Sequence, residues 1–212
     1  MFGSFRQLFE DAYMFRYYIV SSVSMGNSSH KGLSKDEIQQ LKKVSNFSER
    51  EIKEWHGEYQ QSKKGSHLTV KEFKDVYSKM YGADAGQFAE HVFRTFDTNG
   101  DGKVDFREFL IGLSVTSTDN IEQKLKWAFT MYDMDGDGTI TRKEMMDMMT
   151  SIYRMTPSIV KPPDVATPEM MTTKLFGNID ENGDGSITWK EFRTGAKADP
   201  LVLNMLQLNP DP

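Results

Sequence analysis

Three twelve-residue stretches, 97–108, 133–144 and 180–191, fit the pattern D-x-[DN]-x-[DN]-G-x5-E at every defined position. A fourth, 61–72, keeps the shape of the pattern and has lost its acids. No other feature constrains the fold as tightly, because a loop of this kind is a joint between two helices. The stretches begin at residues 61, 97, 133 and 180, and self-similarity at this period implies four helix–loop–helix units. They are loops I to IV below.

The ligand chemistry points to Ca²⁺, a hard cation that takes six to eight oxygens at roughly 2.3–2.6 Å. Loop II offers Asp97, Asn99 and Asp101 at positions 1, 3 and 5, the Lys103 carbonyl at 7, Asp105 at 9 and Glu108 at 12. Loop III offers Asp133, Asp135, Asp137, the Thr139 carbonyl and Glu144. Loop IV offers Asp180, Asn182, Asp184, the Ser186 carbonyl and Glu191. A single match is within reach of an acidic surface turn, but three, each between apolar helical stretches, are not. The expectation is two to three bound ions, with affinities of roughly 10⁻⁷–10⁻⁵ M. Loop IV, with one carboxylate fewer, is expected to be the weakest.

Position 8 holds Val104, Ile140 and Ile187, single apolar residues suited to a short strand that pairs one loop with the next. Positions 9 and 12 have the spacing of a capping box, so the residues that bind or orient an ion also start the exit helix. Loop I places Gln61, Lys63 and Gly65 at the first three ligand positions and keeps Glu72 as its sole carboxylate. It is expected to be silent toward Ca²⁺ and to survive as a structural partner through Leu68, Thr69 and Glu72.

The chain has 212 residues and a net charge of −5, with eleven carboxylates at ligand-type positions of loops II to IV. Three divalent ions would carry the charge to about +1 and change the surface potential. Acid concentrated in metal loops speaks against nucleic-acid binding. Cysteine is absent, which excludes disulfides and thiol chemistry. No run of eighteen apolar residues exists to make a membrane-spanning helix. No hydrolytic triad, phosphate loop or zinc motif is present, and the reading is a protein that is not an enzyme.

The expected fold is all-α: four EF-hand units in two paired lobes, compact, with short β pairing between loops. The expected division is an aromatic extension (1–24), an N-terminal arm and first helix (25–47), a first pair of units (48–116), a second pair (117–194) and an apolar tail (195–212). Pro157, Pro162 and Pro163 mark an irregular linker, and Thr167–Pro168 reads as the N-cap and first residue of the next helix. Apolar residues at helical spacing, such as Phe88, Val92, Phe93 and Phe96, or Leu125, Ala128, Phe129 and Tyr132, precede loops II and III. Ten of the fourteen methionines lie at or after Met131, suiting either core gaps or an adaptable groove. The tail is read as a short helix on the second lobe or as a plug that competes for a groove.

The stretches AEHVFRTFDTNGDGKVDFREFLIGLSVTS, EQKLKWAFTMYDMDGDGTITRKEM and RTGAKADP resemble the neuronal calcium sensor family of hippocalcin, neurocalcin, visinin-like proteins, frequenin and recoverin. The resemblance runs from about Met25 to the end. It implies a silent first hand and a Ca²⁺-dependent apolar groove, with Trp55, Phe73, Val76, Tyr77, Phe88, Val92, Phe93, Phe106 and Phe109 at the lining positions. It also implies regulated targets of the channel, receptor kinase or cyclase class, and a cytoplasmic location with reversible membrane contact. Where family members usually carry Cys-Pro in loop I, this chain has Ser62-Lys63, so redox sensitivity is not carried over. Rival readings are a Ca²⁺ buffer that does not open and a constitutive channel auxiliary subunit held by the extension.

The family's usual start, Met-Gly, falls at Met25-Gly26 here. Gly26 is a lipidation site only if translation starts at Met25, since myristoyl transfer needs a free N-terminal glycine. The preceding residues are read as an alternative start, as an isoform peptide in place of a lipid, or as a signal peptide. Phe2, Phe5, Phe9, Ala12 and Tyr13 line one helical face, suited to the protein's own groove, a membrane interface or a channel contact.

Overall fold

The computed structural model describes residues 32–62, 67–116, 118, 120–155, 167–198 and 203. The aromatic extension, Gly26, the proline linker, the centre of loop I and the tail beyond Ala198 except Leu203 lie outside the described residues. Helices dominate: α1 (Lys35–Val44), α2 (Glu49–Ser62), α3 (Val70–Tyr81), α4 (Gly86–Phe96), α5 (Phe106–Thr116), α6 (Ile121–Tyr132), α7 (Arg142–Met155), α8 (Pro168–Ile179) and α9 (Trp189–Ala198). Among the described residues four short strands, β1 (Leu68–Thr69), β2 (Lys103–Val104), β3 (Thr139–Thr141) and β4 (Ser186–Thr188), accompany them, with a 3-10 turn at Ala83–Ala85.

Local chemistry explains where the helices begin. Ser34 with Glu37 and Thr69 with Glu72 form reciprocal capping boxes, each side chain bonding the other's backbone N–H. Ser48 and Glu51 do the same before α2. Thr167 accepts from the Met170 N–H, and Pro168 occupies the first helical position, where no donor is required. Loop I thus keeps its helix-starting chemistry without its metal ligands.

The position-8 residues pair the loops as their apolar character requires. Leu68 faces Val104 across β1 and β2, and Ile140 faces Ile187 across β3 and β4, both antiparallel. All four are buried. The entering helices bury their apolar faces, and Phe88, Val92, Phe93, Phe96, Leu125, Ala128, Phe129 and Tyr132 all lie in the core. In the first pair of hands the core is aromatic: Phe73 stacks on Tyr77 at 5.2 Å and meets Phe93 and Phe96 edge-on. In the second pair Phe192 stands edge-on to Phe129, and Met145, Met148 and Met149 are buried in the same apolar cluster. These methionines therefore fill core gaps rather than line an open groove in this conformation; Met170 is the large exposed one among the described residues.

One apolar cluster runs through both pairs, and α4 packs against α6 and α7. The pairs are docked, not strung on a tether. Gly112 is part of the packing of the first pair: a Cβ there would meet the Phe96 ring at 2.4–2.6 Å. Gly112→Ala ordinarily gains about 1 kcal/mol of helix propensity. Here Phe96 is buried and held by Phe73, so overpacking by about 1–3 kcal/mol is expected to leave the variant less stable. Urea unfolding with chelator present measures this, and a stabilised variant would contradict the packing.

Candidate metal centres

Each of loops II to IV folds its ligand side chains inward by hydrogen-bonding them to its own backbone. In loop II the Gly102 N–H donates to Asp97 at 2.9 Å, Asp101 N–H donates to Asn99 at 2.8 Å, and Lys103 N–H donates to Asp101 at 2.9 Å. Loop III repeats the set with Gly138 to Asp133, Asp137 to Asp135 and Thr139 to Asp137. Loop IV repeats it with Gly185 to Asp180, Asp184 to Asn182 and Ser186 to Asp184. The position-7 residues Lys103, Thr139 and Ser186 each sit in a paired strand, so the strand fixes where their carbonyls lie.

The turn that makes this possible uses two glycines per loop, not one. Position 6 has φ of 78°, 93° and 84° in Gly102, Gly138 and Gly185, as the sequence pattern implies. Gly100, Gly136 and Gly183 at position 4 are also left-handed, at 71–74°. Sequence reasoning passed over these three, although three glycines at one register position were the available signal.

The position-12 glutamates are bonded to their own loops, and in loops II and III they cross them. Glu108 accepts from Asp105 N–H at 3.0 Å with one oxygen and from Thr98 and Asn99 N–H at 3.1 and 3.2 Å with the other. Glu144 accepts from Thr141 N–H at 2.8 Å and from Met134 N–H at 2.7 Å in the same way. Glu191 accepts from Thr188 N–H at 2.9 Å and its hydroxyl at 2.7 Å. All three carboxylates belong to buried residues at the start of an exit helix, so loop and helix are tied through one side chain.

Loop III also has the charge arrangement a cation fits. Carboxylate oxygens of Asp133, Asp135 and Asp137 all lie within 4.8 Å of one another. Asp133 Oδ1 is buried with no hydrogen-bond partner. Burial pushes the Asp133 carboxyl up, hydrogen bonds from the Gly138 and Gly136 N–H groups oppose this, and the Glu144 and Asp137 charges add to the rise. Glu144 is also pushed up by burial, but its bonds to the Thr141 hydroxyl and to backbone N–H groups outweigh that and hold it low. An unpaired buried acceptor among converging carboxylates suits a bound cation. In loops II and IV the position-3 Asn supplies a neutral oxygen instead.

The sign of the pH dependence differs between the two groups. The folded chain holds the Asp133 proton more tightly than the unfolded chain, so the linked stability is present at low pH and lost as pH rises through the folded value. Glu144 behaves oppositely, losing its contribution as pH falls through its depressed value. With chelator, Asp133→Asn is expected to raise stability at pH 7 by up to about 1 kcal/mol. The gain should fade as the pH approaches that of an ordinary carboxylate, about 4. Denaturation curves at several pH values test this, and a pH-independent gain would contradict it.

Residues 122–197 match the model of an EF-hand domain pair, and residues 88–116 match an EF hand domain. Human recoverin is 37% identical over 190 residues, covering 88% of this chain and 95% of recoverin. Neuronal calcium sensor 1 of Lymnaea stagnalis is 41% identical over 186 residues, covering 87% of this chain and 97% of that protein. The chain belongs to the neuronal calcium sensor family. Guanylyl cyclase-activating protein 2 of Lithobates pipiens is a further relative, at 34% identity over 166 residues, 76% of this chain and 84% of that protein.

The residues expected from the resemblance to line a groove lie in or against the core of this structure. Trp55, Phe73, Val76, Tyr77, Phe88, Val92, Phe93 and Phe109 are buried and form the aromatic core of the first pair of hands. Phe106 is half-buried and lines a cavity of about 340 Å³ with Leu33, Leu41, His56, Tyr59 and His67. The structure thus brings the nine residues to one lobe, eight as core and Phe106 packed against it. Among the described residues no helix is long and apolar enough to cross a membrane.

Proposed function

We propose that this neuronal calcium sensor family member is a cytoplasmic Ca²⁺ sensor that binds two to three ions through loops II, III and IV. The reading rests on one observation above others: in each loop a buried glutamate on the first turn of the exit helix is bonded to its own loop, across it in loops II and III and to Thr188 in loop IV. When bound, Ca²⁺ supplies a divalent charge that the loop carboxylates and position-7 carbonyls can share. Asp97, Asn99, Asp101, the Lys103 carbonyl and Glu108 would hold it in loop II; Asp133, Asp135, Asp137, the Thr139 carbonyl and Glu144 in loop III; Asp180, Asn182, Asp184, the Ser186 carbonyl and Glu191 in loop IV. A glutamate that moves toward a ligand position draws its exit helix along, and α5 carries Phe106 and Phe109 into such a movement. The aromatic face of the first pair then becomes available to a regulated target of the channel, receptor kinase or cyclase class, with reversible membrane contact. The name of a relative that activates a guanylyl cyclase supports a regulated target in general.

The test is a dye that fluoresces on apolar surface, added to the full chain with and without Ca²⁺. A Ca²⁺-dependent rise is expected. No change, with binding intact by calorimetry, would replace the sensor reading with that of a buffer.

A further inference from the structure

The docking of the two pairs of hands brings one cation to the edge of loop III. Arg94 lies in the last turn of α4, the entering helix of loop II. Its guanidinium Nη2 donates at 2.8 Å to the carbonyl of Met131, near the end of α6, the entering helix of loop III. That carbonyl is one of the last in its helix, where intrahelical donors run out and a positive charge is favoured. The two entering helices are therefore tied together at the ends from which their loops spring. A second link, Arg154 of α7 to Gln87 of α4 at 3.0 Å, lies farther from the loops.

We propose that Arg94 is an electrostatic latch that couples the occupancy of loop III to that of loop II. Burial works against its charge, and the carboxylates of Asp133, Glu144 and Asp135, all in loop III, support it. Arg94 is thus held at Met131 by its hydrogen bond, with the loop III carboxylates partly offsetting the cost of burying its charge. A dication among the same carboxylates would offset two of those negative charges and weaken that attraction, loosening the guanidinium from the Met131 carbonyl and freeing the end of α4. Coupling of this kind is reciprocal: whatever favours the loosened latch at one loop favours it at the other. The inference rests on the proposed reading of loops II and III as Ca²⁺ sites.

Three glycine amides allow the loops to be read separately, because Gly102, Gly138 and Gly185 each donate to the position-1 carboxylate of their own loop. Their NMR shifts, followed during a CaCl₂ titration of the full chain, report loops II, III and IV. With Arg94 present, Glu144→Gln is expected to weaken loop II at least about fivefold. With Arg94→Met, loop II should be tighter than in the parent, and Glu144→Gln should change it by less than about twofold. With chelator, hydrogen exchange at the C-terminal ends of α4 and α6 should rise in Arg94→Met. An equal loop II response to Glu144→Gln in both backgrounds would overturn the latch. Failure of Gly138 to lose its response in Glu144→Gln would instead overturn the site assignment. Should Arg94→Met fail to fold, Arg94→Gln, which removes the charge and keeps a donor, takes its place under the same criteria.

Discussion

Glu144→Gln is expected to lower the Ca²⁺ stoichiometry by one ion while leaving the other loops able to bind. The glutamine keeps the volume of the side chain but loses the charge and one of two acceptor oxygens. In this structure both oxygens are in use, one toward the Thr141 N–H and hydroxyl and the other toward the Met134 and Asp135 N–H groups. Whichever way the amide turns, its NH₂ faces a backbone donor. Two costs follow. The metal-free chain loses about 1–3 kcal/mol through an unsatisfied buried donor. Loop III loses affinity by more than roughly 100-fold, because even changes to groups behind the direct ligands cost 10–100-fold. Calorimetry and chelator-treated unfolding separate the two, and an unchanged stoichiometry would remove Glu144 from the site. Glu108→Gln is expected to act likewise on loop II, whose glutamate makes the same pair of contacts.

Phe73→Ala carries the largest expected effect on stability. Phe73 is 1% exposed, and its ring is in contact with those of Tyr77, Phe93 and Phe96 at 5.2–5.6 Å. Removing it leaves a cavity whose walls are large rings on two different helices, which cannot close without moving α3 relative to α4. The expected loss is about 3–5 kcal/mol, the range for a buried aromatic truncated to alanine. At about 2–4 °C per kcal/mol for a chain of this size, the melting temperature should fall by roughly 10 °C. The same residue is a proposed groove position, so target binding should weaken beyond what stability explains. A loss under about 1 kcal/mol would show that the first pair of hands does not depend on this cluster.

Much of the architecture was legible because its causes are short-range. Loop ligands, turn glycines, the position-8 residue and the capping pair all fall within twelve consecutive residues, and a pattern that compact survives without knowledge of the rest of the chain. Leu68 opposite Val104 and Thr167 ahead of Pro168 are cases in point. The state of the groove was not legible. An apolar residue at helical spacing reads the same whether it faces a core or a target, and the structure places Phe73, Tyr77 and Phe93 in the core of the first pair. The methionines of α7 were equally ambiguous for the same reason, since Met145 and Met148 fit a groove or a gap until α8 is seen packed against α7 and both side chains are seen buried.

By itself the sequence determined that there are four helix–loop–helix repeats, that three carry the full ligand pattern and one has lost it, and that neighbouring loops pair. Only the tertiary structure decided how the two pairs meet. Arg94 reaches Met131 across 37 residues, and Arg154 reaches Gln87 across 67. Neither separation has a period, a motif or a composition to betray it. Such contacts arise only when whole helices have docked, and the docking is driven by apolar area that carries no address.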